Sequence, residues 1–225
     1  MVQLWMHIDL PSQVLTSNND PSIIGGLFVD AVQGQGQAPQ LLRSDCGTEN
    51  GIAASLQAFF HQNENAHIYG KSITNQRIEA FWSKLYPALD GWIDHFKMLR
   101  QANIFEPGNT VHMYSMRVAF KKQISKVLHT FMIYWNTHTM RQSAEGPGGI
   151  PDSLFYLPNY QCGTTINEES IALAKEYCCF DTTTTGDENL DEFFDRVIEQ
   201  FQLAQPTDRQ SATDLFMQLI DRVEL

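Results

Sequence analysis

Leu41-Leu42-Arg43-Ser44-Asp45-Cys46-Gly47-Thr48-Glu49-Asn50, followed later by Tyr69-Gly70-Lys71-Ser72-Ile73-Thr74-Asn75-Gln76-Arg77-Ile78-Glu79-Ala80-Phe81-Trp82, is the stretch around which the chain is organised. An apolar run breaks at a carboxylate, Asp45, and a second carboxylate, Glu79, falls inside the first two turns of a long helical pattern. The 33 residues between them suit a site that holds two metal ions for phosphoryl transfer.

Working outward, Pro39 to Ser44 reads as a strand with Asp45 at its carboxyl end, where open α/β sheets place their sites. Ahead of it, Asp20-Pro21 is a helix start, a cap oxygen followed by a residue with no N–H to leave unpaired. That helix would carry Ile24, Leu27, Phe28 and Ala31 on one face and stop at Gly34-Gln35-Gly36. Leu4-Trp5-Met6-His7-Ile8 reads as a buried strand ending at Asp9, so strand, helix and strand imply a right-handed crossover and a parallel pair. After Asp45, Thr48 to Phe60 reads as a helix with Ile52, Leu56, Phe59 and Phe60 at helical spacing. His67-Ile68-Tyr69 reads as a short edge strand. Thr74 or Asn75 caps a long helix through Trp92, Phe96 and Leu99, with a break expected at Pro87. A further helix is expected over about Val111 to Tyr134, with Arg117/Lys121 and Lys122/Lys126 as basic pairs one turn apart. Glycines and prolines between Ala144 and Pro151 end the core.

The chain has 225 residues, 43% hydrophobic and 18% charged, enough for one sizeable core or a core plus a small appendage. It has no apolar run long enough for a membrane span and no secretory leader pattern, so the reading expects an intracellular protein without a membrane partner. The cysteines Cys46, Cys162, Cys178 and Cys179 match neither a zinc spacing nor a disulfide framework. The net charge is −11, but residues 1–159 carry only −1 of it and residues 160–225 carry −10. The acidity therefore belongs to the tail, where Glu168–Tyr177, Leu190–Gln202 and Ala212–Val223 read as helices. The body is neutral, with basic residues gathered near Lys71, Arg77 and Lys84.

With these residues in view, the Leu41–Trp82 stretch resembles the second and third catalytic segments of the integrase and transposase core family, ribonuclease-H-like domains built on an Asp–Asp–Glu triad. Arg43 to Asn50 resembles the family's strand end, Thr74 to Glu79 its entry into the Glu-bearing helix, and Trp135 to Arg141 its Asn-x-x-Arg segment. Ser17-Asn18-Asn19-Asp20-Pro21, Tyr69-Gly70-Lys71-Ser72 and Pro151-Asp152 resemble, more narrowly, integrase-core-containing proteins of animal genomes that descend from mobile elements. The resemblance spans roughly residues 16–158.

The resemblance implies an α/β fold, a ribonuclease-H-like mixed sheet with flanking helices over residues 1–158, joined to an acidic helical tail over 159–225. It implies Asp45, Glu79 and Asp9 as catalytic and metal-binding carboxylates for Mg²⁺ or Mn²⁺, and Lys71, Asn75, Arg77 and Lys84 as contacts to DNA. The ancestral activity would be DNA integration by metal-dependent phosphodiester transfer, impaired here because the front of the domain is short. About 20 residues precede the first helix, too few for the three-strand meander of the family. Either the first strand and its Asp are missing, or Leu4–Ile8 is that strand and what followed it is lost. The other reading is a non-enzymatic scaffold that binds proteins through the old core and the acidic tail. A nuclear or cytoplasmic location is implied, and a homo-oligomer stays open.

Each residue also has a plainer role. Asp45 would end a strand and cap the Thr48 helix, and Glu79 would be a solvated helix residue. Trp82, Trp92 and Trp135 read as core. Gly70-Lys71-Ser72 lacks the leading glycine of a phosphate loop, since position 65 is Asn.

Overall fold

The computed structural model describes residues 19–70, 76–142, 148–156, 163–178 and 188–223. The chain divides into two compact units. Of the described residues, the first holds those within Ser17–Phe81 and Met132–Thr182, and the second those within Trp82–Phe131 and Thr183–Leu225. Among the described residues, no helix is long and apolar enough to cross a membrane.

In the first unit, α1 (Pro21–Gln35) starts as its sequence dictates: the Asp20 side chain accepts from Ser22 N at 2.8 Å, and Pro21 opens the helix. Gly36 ends it in the left-handed conformation, φ 67°, which a residue without a Cβ adopts at no steric cost. The buried face matches the expected one in part: Ala31 is buried and Phe28 packs on the core, but Ile24 and Leu27 are only partly buried. Ile23, Gly25, Gly26, Val29 and Val32 are buried too, with Gly25 letting a second helix, α2 (Gly51–His61), approach closely. A Cβ on Gly25 would collide with Ile52 of α2. Val29, Leu56 and, from α6 (Glu168–Cys178), Ile171, Ala174 and Cys178 form the core there, with Phe28, Ile52 and Phe60 against it.

The strand expected over Pro39–Ser44 is two strands. β1 (Gln37–Pro39) pairs antiparallel with β4 (Gly163–Thr165), and β2 (Leu42–Ser44) pairs parallel with β3 (His67–Tyr69). The break has a cause that lies further along the chain. The Pro39 carbonyl accepts from Gln57 Nε2 at 2.5 Å and from His61 Nε2 at 2.8 Å, so α2 side chains take the group that would have carried the ladder onward. Among the described residues, β2 pairs in parallel with β3, reached through a 3-10 turn (Thr48–Asn50), α2 and a second 3-10 turn (Glu64–Ala66). The strand expected over Leu4–Ile8 lies outside the described residues. Among those described, helices and short strands mix as an α/β domain requires, with the strands in two two-stranded sheets.

In the second unit the core is helical. α3 (Gln76–Gln101) runs unbroken through Pro87, against expectation. Pro87 is exposed, so its ring meets solvent, while Leu85 and Leu99 anchor the helix on either side. Leu99, with Ala119 and Phe120 of α4 (Thr110–Thr137), packs on Phe194 and Val197 of α7 (Glu188–Gln200) and on Ala212, Leu215, Phe216 and Leu219 of α8 (Arg209–Val223). Phe120 meets Phe96 edge-on at 5.2 Å between centroids, and Phe216 lies 6.2 Å from Phe120. Polar struts fix the register: Gln123 Nε2 donates to Pro206 O at 2.6 Å, and His95 Nε2 lies 2.9 Å from Thr213 Oγ1. At the start of α8, Asp208 accepts from Ser211 N while Ser211 Oγ accepts from Asp208 N, a reciprocal cap. These bonds from Ser211 hold the Asp208 carboxyl below its ordinary range. The stretch read as one acidic tail is therefore shared: α6 packs in the first unit, while α7 and α8 build the second.

Candidate functional site

Asp45 follows the last residue of β2 and is exposed. Its backbone is held on the N-terminal side. Gly70 N donates to Ser44 O at 2.8 Å, and Ser44 Oγ donates to Asp45 O at 3.0 Å. Ser44 Oγ also bonds to His67 Nε2 at 3.0 Å across the parallel pair. Burial lowers the His67 pKa, which favours the neutral ring.

The Asp45 carboxylate does not cap the following helix, as its plainer reading had it. The cap position of the 3-10 turn is Gly47, with no side-chain bond, and Asp45 Oδ1 instead accepts from Asn50 Nδ2 at 2.8 Å. Glu49 folds back over Gly47, where any Cβ would collide with its carboxylate. Opposite, the Arg43 guanidinium drapes over Gly70 and leaves no room for a side chain there. Glycine at 47 and 70 thus lets two charged side chains lie flat against the turns beside the strand ends.

Glu79 is exposed in the first turn of α3, in the same unit as Asp45, where the positive end of the helix dipole favours a carboxylate. Asp9, Lys71 and Asn75 lie outside the described residues. Arg77 lies in the first turn of α3, with its side chain likewise undescribed, and Lys84 is exposed further along that helix. Among the described residues, no three His, Cys, Asp or Glu side chains are grouped closely enough to hold a metal ion. Asp45 and Glu79 each carry hard oxygen donors of the kind Mg²⁺ and Mn²⁺ take; the third expected carboxylate, Asp9, is not among the described residues. Cys46 is exposed and unbridged.

One tryptophan departs from its expected place. Trp135 is buried with Phe81 edge-on at 5.0 Å, and Trp92 packs against the helical core, but Trp82 is 44% exposed and lies 5.8 Å from the ring of Tyr86, itself 58% exposed. Sequence reading missed Asn50, His67 and Gln57 as site-supporting residues. A polar residue five positions after a strand-end Asp is a weak signal, and none of the three stands out by periodicity.

No curated protein and no solved structure matches the chain. A family model described as Integrase core domain matches residues 11–156, which takes in α1, β1, β2, α2, β3, Asp45, Glu79 and all of α3 and α4. With nearly two thirds of its length matched, and with the strand-end Asp and the helix-borne Glu inside the match, the chain belongs to the integrase core domain family.

Proposed function

We propose that this is a mobile-element-derived integrase core that keeps a carboxylate site for a divalent cation and residues that bind DNA, with its phosphodiester-transfer activity impaired. The observation that carries the reading is the placement of Asp45, exposed at the carboxyl end of β2 in a parallel β2–α2–β3 unit, ahead of Glu79 exposed at the start of the next helix. A ribonuclease-H-like sheet is the architecture that this reading assigns to the complete domain. Asp45 and Glu79 would hold Mg²⁺ or Mn²⁺, with Asp9 as third ligand. Bound there, the metal would supply charge stabilisation for the attacking and leaving oxygens of a phosphodiester. Lys71, Asn75, Arg77 and Lys84 serve the phosphate backbone, so DNA affinity falls steeply with salt. The protein acts inside the cell, in nucleus or cytoplasm.

The test is a calorimetric titration of Mg²⁺ and Mn²⁺ into the wild type, Asp45→Asn and Glu79→Gln. Both exposed carboxylates should be removable with unfolding midpoints unchanged and metal binding lost. A loss of several kcal/mol of stability in either variant would mark the residue as structural and sink the reading. One observation favours a second reading, a protein-binding scaffold without catalysis. α7 and α8 lie beyond the matched residues, complete the helical core and leave Glu192, Asp195 and Glu199 exposed. Partner binding without nucleic-acid affinity would support it.

A further inference from the structure

We infer that Asn50 is a positioning residue for Asp45, holding one carboxylate oxygen so that the other is presented to a divalent cation; the inference rests on the metal-site reading above. Asn50 occupies the cap position of α2, where an asparagine side chain ordinarily accepts from the N–H groups of the first turn. Here it makes no such bond. The cap position is already helical, φ −84° and ψ −5°, and its own N–H donates to Gly47 O at 3.2 Å, because the 3-10 turn runs directly into α2. The helix therefore does not use the side chain, and the amide turns back five residues to Asp45 Oδ1 at 2.8 Å.

The chemistry sets the direction of that bond. An ionised carboxylate only accepts, so the amide must present its NH₂ to Asp45 and point its carbonyl oxygen away. The bond is charge-assisted on the acceptor side and locks the carboxylate torsion, which for a lone exposed Asp would be broad. The backbone supports the same geometry from the other side, through Gly70 N on Ser44 O and Ser44 Oγ on Asp45 O. Orienting groups of this kind typically contribute about 10- to 100-fold to metal affinity.

The test uses the full chain and Mn²⁺ alone, followed by calorimetry, with the urea unfolding midpoint of each variant. Asn50→Ala removes the amide. Asn50→Ser keeps a residue favoured at helix caps but cannot reach Asp45, so it covers the case in which alanine fails to fold. The expected result is a wild type that binds Mn²⁺, and Ser and Ala variants that bind about tenfold more weakly or worse with midpoints near wild type. The same Asn50 substitution in an Asp45→Asn background should change nothing further. Wild-type binding that Asn50→Ser leaves intact would overturn the positioning role and spare the metal site. A wild type that binds no Mn²⁺ would overturn both.

Discussion

Gln57 is the residue whose replacement most directly tests how the Asp45-bearing unit is held together. Its side chain is 0% exposed on α2, and its Nε2 donates to Pro39 O at 2.5 Å and to Ala66 O at 3.2 Å. It thereby ties the end of β1 and the turn entering β3 to one helix, on both sides of the parallel pair that ends at Asp45. Gln57→Met preserves length and most of the volume while removing both donors. Pro39 O keeps its bond from His61 Nε2, so only Ala66 O loses its donor among the bonds described. Leaving one buried acceptor unsatisfied costs about 1–3 kcal/mol. In the opposite direction, Gln57 Oε1 is buried without a hydrogen-bond partner, and replacing it by an apolar group returns part of that cost. The lost strut should win, because both bonds from Nε2 go while only part of the cost of the unpaired Oε1 is returned, for a net destabilisation of about 1–2 kcal/mol. Urea denaturation followed by far-ultraviolet circular dichroism would read it as a lowered midpoint with an unchanged slope. A variant as stable as wild type, or more stable, would refute the reasoning and show that burial of Oε1 outweighs the strut.

Phe216→Ala should destabilise the helical unit by about 3–5 kcal/mol, since the ring is 0% exposed between Phe105 and Phe120; thermal unfolding checks this, and a cost below about 1 kcal/mol would mean α8 is not part of that core. Gly25→Ala should also destabilise, by about 1–3 kcal/mol, because the new Cβ meets the branched Ile52 and, at 3.2 Å, Cys178 Sγ; the helix-propensity gain of alanine is smaller, and a raised midpoint would show that α1 and α2 can separate at little cost. Acidification should weaken the helical unit through His95. Its pKa lies below the ordinary 6.5, first through burial and then through the Arg209 charge, so the unfolded chain takes up the proton more readily. The His95 contribution is complete above pH 6.5 and is lost as the pH falls below it; His95→Gln should flatten the stability profile in that window, and an unchanged profile would exclude the effect.

Much of the local structure was legible because its causes are local. Asp20-Pro21 fixed the start of α1 to the residue and the Gly-rich stretch from Gly34 its end to within a turn, since a cap oxygen, a missing N–H and a left-handed glycine act locally. The pattern at Thr48–Phe60 announced α2, and the acidic candidates after residue 160 became α6, α7 and α8 within a few residues. Asp45 at a strand end and Glu79 at a helix start were readable for the same reason. What failed depended on partners distant in sequence. Apolar counting placed Ala31 and Phe28 correctly on the packed side of α1 but missed Gly25, which carries no hydrophobic signal and yet lies where Ile52 of α2 comes closest. It also placed Trp82 in the core, although the ring is largely exposed against Tyr86.

By itself, then, the sequence determined the helix boundaries, the two carboxylates at strand and helix ends, and the family, because capping, periodicity and motif spacing are properties of neighbouring residues. Only the tertiary structure decided that Pro39 divides one expected strand into two, since side chains 18 and 22 residues on take its carbonyl. It likewise decided that Asn50 serves Asp45 and not its own helix, and that Phe216 belongs under Phe120. These are competitions for one acceptor or one buried surface between groups far apart in the chain, and the winner depends on which of them folding brings within reach.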